Sequence, residues 1–239
     1  MTSTVIPVDT PQGPGRMFLD PAEQPNSILL LGHGASGGIA AVDLELLAHN
    51  LPAIGTSVVR FEQPWRTAGR KVGAPPPKLD EAWCAALDWL VGQEWAQHQL
   101  LVGGRSAGAR VACRTASHTQ PAAIVCLAFP LHLPGRPEKS RVGELLAPTV
   151  PRLVLQGNKD SFGTPEEIRT AIDDAPGISV VELPGADHGF RIVGARSAAS
   201  ASNRSQTTKS PPLSPADLRT TVIAEVSRFI GAVAGISTS

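Results

Sequence analysis

The feature of this sequence that most constrains its fold is the alternation of short apolar runs with longer stretches of helical spacing. The apolar runs predict strands over residues 3–8, 15–20, 27–31, 56–61, 99–104, 122–128, 152–157 and 178–183. The remaining stretches predict helices over residues 39–50, 79–94, 106–117, 165–174 and 215–230. Such an alternation is typical of a parallel sheet with helices on both of its faces. The sequence therefore predicts an α/β fold with a mostly parallel sheet of about eight strands.

Length and charge narrow the class of protein further. A chain of 239 residues is long enough for one well-buried core, and we expect a single domain over residues 1–239. The 21 basic and 21 acidic residues balance, so no overall field favours nucleic acid or an acidic membrane surface as a partner. No run approaches the roughly 18 apolar residues of a membrane span, and the N-terminus lacks the pattern of a leader, so we expect a cytoplasmic protein. The Ser-rich segment 196–214 is predicted to be a flexible loop.

Two glycine motifs compete to define the function, and the first follows the predicted strand SILLL. The letters GHGASG place Gly32, Gly34 and Gly37 in the pattern G-x-G-x-x-G, between a strand and a helix. Glu62 follows the next predicted strand, where a dinucleotide-binding fold places the acid that binds the ribose. A dinucleotide-binding oxidoreductase is therefore one interpretation of the chain.

The second motif is GRSAG, residues 104–108, which matches the pattern G-x-S-x-G. Small residues around Ser106 allow the chain to turn sharply between a strand and a helix, which exposes the serine hydroxyl. The simpler interpretation is that Ser106 caps the following helix, a common role for serine. A nucleophilic serine needs a base that takes its proton and an acid that orients the base. The presence of such residues elsewhere in the chain therefore decides between a nucleophile and a helix cap.

Candidates for the acid and the base follow Ser106 in the chain. Asp160, in NKDSFG, comes after the seventh predicted strand, and His188, in GADHGF, comes after the eighth. Because the carboxyl ends of parallel strands meet at one edge of a sheet, we expect both side chains on the same edge as Ser106. Asp173, Asp174 and Asp187 are the other candidates for the acid, and Asp187 is poorly placed because neighbouring side chains tend to diverge. The dinucleotide interpretation leaves Ser106, Asp160 and His188 without a task, and it expects its glycine motif after the first strand.

The motifs taken together resemble the α/β-hydrolase superfamily, over nearly the whole chain. The residues that carry the resemblance are LLLGHGASGG, GGRSAG, LVLQGNKD and GADHGF. The likeness is to small bacterial hydrolases of the dienelactone-hydrolase-like kind, in a group that is similar to domains of eukaryotic chromatin-complex subunits. It implies Ser106 as the nucleophile, His188 as the base and Asp160 as the acid, with the backbone N–H groups of Ala35 and Ala107 as oxyanion-hole donors. Dienelactone hydrolases use a cysteine nucleophile, so the serine here argues against their substrate.

The surroundings of the motifs suggest an open site for a modest or water-soluble acyl group. The connection between the sixth and seventh predicted strands is too short for a helical cap domain. Trp65, Arg66 and Arg70, in a Pro- and Gly-rich segment expected to be a surface loop, are predicted to line the site, as is His132. Arginine side chains pair well with a carboxylate or a phosphate on a substrate. Simple packing of these loops is the alternative.

These observations predict a serine hydrolase that cleaves an ester or a thioester through an acyl-enzyme intermediate. The expected partner is a small-molecule acyl substrate, and no cofactor and no metal is expected. Two alternatives stay open: a binding or scaffold protein that uses the hydrolase fold without catalysis, and the dinucleotide-binding oxidoreductase.

Overall fold

An eight-stranded sheet forms the centre of the fold in the computed structural model, which describes residues 3–35, 37–193 and 211–235. The strands are β1 (Thr4–Thr10), β2 (Gly13–Asp20), β3 (Ser27–Gly32), β4 (Thr56–Glu62), β5 (Gln99–Arg105), β6 (Ala123–Leu127), β7 (Arg152–Gly157) and β8 (Ile178–Leu183). The helices are α1 (Val42–Asn50), α2 (Pro64–Thr67), α3 (Pro76–Val91), α4 (Ala107–Arg114), α5 (Ala116–Thr119), α6 (Val142–Leu146), α7 (Pro165–Ile172) and α8 (Pro215–Val233). Short 3-10 helices cover Leu51–Ile54 and Glu94–Ala96.

The strands lie in the order β1-β2-β4-β3-β5-β6-β7-β8. The pairs β1 with β2 and β2 with β4 are antiparallel, and all other neighbours are parallel. The predicted α/β fold with a mostly parallel sheet is therefore confirmed. The order differs from that of the doubly wound dinucleotide-binding fold, whose first strand lies at the centre of the sheet, because β1 here lies at an edge.

Helices cover both faces of the sheet because its central strands are apolar on both sides. Every residue of β3, β4, β6 and β7 is buried, as is typical of parallel strands between two helical layers. Helices α3, α4 and α7 pack on one face through side chains such as Trp83, Ala109 and Ile168. Helices α1 and α8 pack on the other face through side chains such as Leu44 and Val222.

Two segments differ from the sequence prediction. The segment 63–78, expected to be a loop, contains α2 and the start of α3, because Pro64 and Pro76 occupy first-turn positions where a missing N–H costs nothing. The helix predicted over 106–117 breaks at Thr115, whose hydroxyl donates to a backbone carbonyl one turn earlier at 2.8 Å. The other predicted helices are present, with ends that differ by a few residues because capping geometry decides where a helix stops.

Among the described residues, the connection between β6 and β7 places no cap domain over the carboxyl edge of the sheet. Residues 128–151, between β6 and β7, contain only the short helix α6, so no cap domain lies there. Of the segment predicted to be a flexible loop, residues 196–210 lie outside the described residues, and 211–214 lead into α8. The flexible loop and the single domain over the whole chain stay predictions. None of the helices in the described part of the chain combines the length and the apolar character needed to cross a membrane.

Candidate active site

Ser106 lies at a sharp turn between β5 and α4, at the carboxyl edge of the sheet. Its backbone has φ 51° and ψ −110°, a conformation that residues other than glycine rarely adopt and that stores strain. Its side chain makes no capping hydrogen bond to α4. The hydroxyl instead lies 2.9 Å from Nε2 of His188. The structure therefore does not support the interpretation of Ser106 as a helix cap.

Glycines make this turn possible because the backbones of β3, β5 and α4 approach one another closely. A Cβ atom on Gly104 would lie 2.4 Å from the carbonyl oxygen of Gly32, and one on Gly108 would lie 2.3 Å from the same oxygen. No side chain fits at either distance. The glycines of the G-x-S-x-G motif thus allow α4 to pack directly against β3, and Ser106 lies at this contact.

His188 bridges Ser106 and Asp160, although the three residues lie far apart in the sequence. Its Nδ1 lies 2.7 Å from Oδ2 of Asp160. A carboxylate can only accept, so Nδ1 carries the hydrogen and Nε2 is free to accept the Ser106 hydroxyl proton. The Asp160 side chain is fully buried and also accepts from Nε2 of Gln156 and from the backbone N–H of Phe162, both at 2.8 Å. Three donors to one buried carboxylate fix its orientation.

Asp187, the other carboxylate beside His188, holds its own loop together. One of its oxygens accepts from the backbone N–H groups of Gly189 and Arg191, at 2.7 and 2.9 Å. Burial alone would raise the pKa of Asp187, but these hydrogen bonds and the Arg191 guanidinium outweigh it and lower the pKa. Asp187 therefore shapes the turn that carries His188 and does not touch the imidazole.

The predicted oxyanion donors lie on the two turns that meet at Ser106. Ala107 follows Ser106 directly, and a Cβ atom on Gly34, the neighbour of Ala35, would lie 3.6 Å from the Ser106 Cβ. Among the described residues, neither the Ala35 N–H nor the Ala107 N–H has a hydrogen-bond acceptor. An oxyanion hole requires two unpaired donors of this kind beside the reacting atom.

His33 braces the turn that carries Ala35. Its Nδ1 bonds the Gly34 carbonyl at 2.8 Å and its Nε2 accepts from the backbone N–H of Gln63 at 3.1 Å. Burial lowers the pKa of His33, although the Gly34 carbonyl partly opposes that effect, so the ring is neutral. The ring also packs on Trp65, with centroids 5.4 Å apart.

The four residues predicted to line the site fall into two groups. Trp65 and His132 are 5% and 7% exposed, which leaves little surface for a substrate and gives both a packing role. Arg66 is half-buried against the glycine turn, with its Nε 3.3 Å from the position of a Cβ on Gly38. Arg70 is exposed on the loop that follows α2.

Several residues around the site were not predicted from the sequence. Arg105, next to Ser106, donates to Oδ2 of Asp43 in α1 at 2.6 Å and to the backbone carbonyl of His188. Gln156 and Phe162 support Asp160. Arg105 occupies the first x of G-x-S-x-G, a position at which the motif specifies no residue. The contacts of Gln156 and Phe162 join chain segments that only the fold brings together.

The residues that suggested dinucleotide binding make other contacts in the structure. The Glu62 carboxylate, which would have to face a ribose, accepts from Nε of Arg16 at 2.9 Å and from the Thr67 hydroxyl at 3.4 Å. The turn after β3 packs against Ser106. Both observations favour the hydrolase interpretation of GHGASG.

Comparison with known proteins agrees with this geometry. The chain matches the family model described as an alpha/beta hydrolase domain over residues 25–211, a range that includes Ser106, Asp160 and His188. The protein therefore belongs to the α/β-hydrolase family.

Solved structures of similar fold include a serine hydrolase without a lid. A Xanthomonas campestris α/β serine hydrolase without a lid is 22% identical, with a TM-score of 0.69 over 96% of this chain and 95% of that one. The esterase domain of a Rhodothermus marinus protein is 15% identical, with a TM-score of 0.66 over 95% and 98%. A dienelactone hydrolase from Anabaena variabilis is 19% identical, with a TM-score of 0.62 over 81% and 90%. At these identities the likeness shows the fold.

Proposed function

We propose that this protein is a serine hydrolase that cleaves an ester or a thioester through an acyl-enzyme intermediate. The observation that carries the proposal is the continuous series of hydrogen bonds from Ser106 through His188 to Asp160, at 2.9 and 2.7 Å. Each residue meets the partner that its role requires, and the strained turn presents the serine hydroxyl. The likeness to a lid-less serine hydrolase and to an esterase domain supports the same reaction class.

In the proposed reaction, Ser106 Oγ attacks the acyl carbon while Nε2 of His188 takes the hydroxyl proton. Asp160 stabilises the imidazolium that forms, and the N–H groups of Ala35 and Ala107 donate to the oxyanion. The N-terminus of α4 also faces the developing negative charge. The tetrahedral intermediate then expels the alcohol or thiol, which receives the proton from His188. Water, activated by the same imidazole, releases the acid and restores Ser106.

The segment that follows β4, in which Arg66 lies against the glycine turn, favours a substrate that carries a negative charge. The segment from Gln63 to Leu79 contains Arg66, Arg70, Lys71 and Lys78 and no acidic residue. Within the described residues, none of these four cations forms a salt bridge. We therefore extend the proposal to esters with a carboxylate or a phosphate that Arg66 and Arg70 can reach.

The direct test is labelling by a fluorophosphonate probe together with turnover of a small p-nitrophenyl ester. Ser106→Ala is expected to abolish labelling and to lower turnover by several orders of magnitude. Ser179→Ala, at an exposed serine on β8, is the matched control and should behave as the wild type. Turnover that survives in Ser106→Ala would exclude the proposed nucleophile.

The same experiment separates catalysis from a scaffold role. A binding protein with a hydrolase fold has no activated serine, so the wild type would neither be labelled nor turn over any ester or thioester of a panel. Calorimetry with NADH addresses the oxidoreductase interpretation, which requires binding.

A further inference from the structure

Phe162 contacts the candidate base through its side chain and the candidate acid through its main chain. It lies between β7 and α7, two residues after Asp160. The ring centroids of Phe162 and His188 are 4.2 Å apart, and the two planes are inclined by 30°. The rings are tilted relative to each other, and their short separation places the phenyl ring against the imidazole.

The main chain holds Phe162 in this place independently of its side chain. Its N–H donates to Oδ1 of Asp160 at 2.8 Å, and its carbonyl accepts from the backbone N–H of His132 at 3.0 Å. His132 lies on the connection after β6, so Phe162 is fixed between two loops. A substitution at position 162 therefore changes the ring and leaves both main-chain hydrogen bonds in place.

The phenyl ring acts on the charged form of the imidazole. The proposed reaction makes His188 an imidazolium in its transition states, and the face of an aromatic ring carries negative partial charge that attracts a cation. The other charged groups nearby contact different parts of His188 and of the loop that carries it. Asp160 binds Nδ1, Arg105 binds the backbone carbonyl, and Asp187 pairs with Arg191.

We propose that Phe162 is a positioning residue for the reaction of Ser106. Its ring keeps the imidazole in line between Ser106 and Asp160 and stabilises the imidazolium as the proton moves. This inference rests on the proposed hydrolase function and adds to it a residue that no sequence motif marks.

The test compares substitutions that separate the volume of the ring from its aromatic face. Phe162→Leu keeps an apolar contact and removes the aromatic face, and it should lower both kcat and the rate of fluorophosphonate labelling by about threefold to tenfold, with KM little changed. Phe162→Tyr keeps the aromatic face and should restore both rates. Phe229→Leu, at another half-buried phenylalanine on α8, is the control and should leave both unchanged. Equal rates in Phe162→Leu and the wild type would overturn the inference, as would equal losses in the Leu and Tyr variants.

A second measurement keeps this inference distinguishable from the proposed function. The chain has six histidines, and the His188 ring protons are identified in NMR spectra by their loss in His188→Gln. The adjacent phenyl ring shifts these protons upfield, so they should move downfield in Phe162→Leu and stay in place in Phe162→Tyr. A wild type with this shift but without labelling or turnover would refute the hydrolase function and leave the contact intact. An active wild type whose His188 protons are unaffected by Phe162→Leu would refute the inference alone.

Discussion

His33 shows how one buried side chain controls the geometry of a neighbouring site. Its neutral ring carries one donor and one acceptor, and the structure uses both, for the Gly34 carbonyl and the Gln63 N–H. Protonation would place a second hydrogen on Nε2, against the N–H of Gln63. The hydrogen bond to Gln63 requires the neutral ring.

Protonation of His33 should therefore destabilise the fold on mild acidification. The pKa of His33 is lowered by burial from its ordinary 6.5, so the unfolded chain binds this proton more readily than the folded one. The free energy of unfolding should then fall as the pH drops below about 6.5, by at most about 1.4 kcal/mol per pH unit for a single proton. Urea unfolding of the wild type and His33→Gln between about pH 7 and pH 5 measures this. If the free energy of unfolding depended on pH equally in both proteins, His33 would not be the group responsible.

The candidate residues Ser106, Asp160 and His188 could be identified in the sequence because the proposed chemistry requires these residue types in this order. A serine on a glycine turn, an acid and a histidine, each after a strand, have one common use in a parallel sheet. Phe162, Gln156 and Arg105 could not be predicted in this way. Any side chain of suitable shape could support the site, and only the three-dimensional contacts show which one does.

At the scale of elements, the contact between β3 and α4 determines where Ser106 lies. Gly108 lies in the first turn of α4 with its Cα against the end of β3, so the helix starts directly over the strand. Arg105 adds a link from β5 to α1 and to the loop that carries His188, through Asp43 and the His188 carbonyl. Four elements and one loop are thereby joined at the turn.

A methyl group at this contact should push α4 away from β3. Gly108→Ala would place a Cβ 2.3 Å from the Gly32 carbonyl oxygen, and we expect a loss of about 3 kcal/mol in the free energy of unfolding together with loss of fluorophosphonate labelling. Gly143→Ala in α6 is the matched control, since nothing lies within 4 Å of its added Cβ. That variant should be neutral or more stable by up to about 1 kcal/mol. Similar stability in the two variants would show that the close approach is not required.

The elements themselves were predicted more reliably as strands than as helices. Buried parallel strands form near-continuous apolar runs bounded by polar or turn residues, so β3 and β7 have nearly their predicted limits. Helix ends depend on capping and on proline, which is why α2 and the start of α3 lie in a segment that composition marks as a loop. The pairing order of the strands follows from long-range packing that a single sequence does not display.

At the scale of the whole molecule, the balance of charges means that any preference for an anionic substrate depends on the charges near the site. The 21 basic and 21 acidic residues give no net charge, so no long-range field draws anions towards the protein. A preference for anionic substrates would have to come from nearby cations such as Arg66 and Arg70. Short-range attraction of exposed charges is screened within about 8–10 Å at ordinary ionic strength.

This reasoning predicts a salt-dependent preference that a matched pair of esters can measure. The wild type should hydrolyse p-nitrophenyl hemisuccinate with a higher kcat/KM than p-nitrophenyl butyrate, and raising the salt from about 0.05 M to about 0.5 M should lower that ratio. The double variant Arg66→Gln with Arg70→Gln should lower the ratio by about twofold to fivefold, the range expected for exposed ion pairs. Arg228→Gln, at a surface arginine of α8 paired with Glu225, should leave the ratio unchanged. A ratio that is insensitive both to salt and to the double variant would remove Arg66 and Arg70 from the substrate site, while labelling of Ser106 would still support the hydrolase function, because the two depend on different residues.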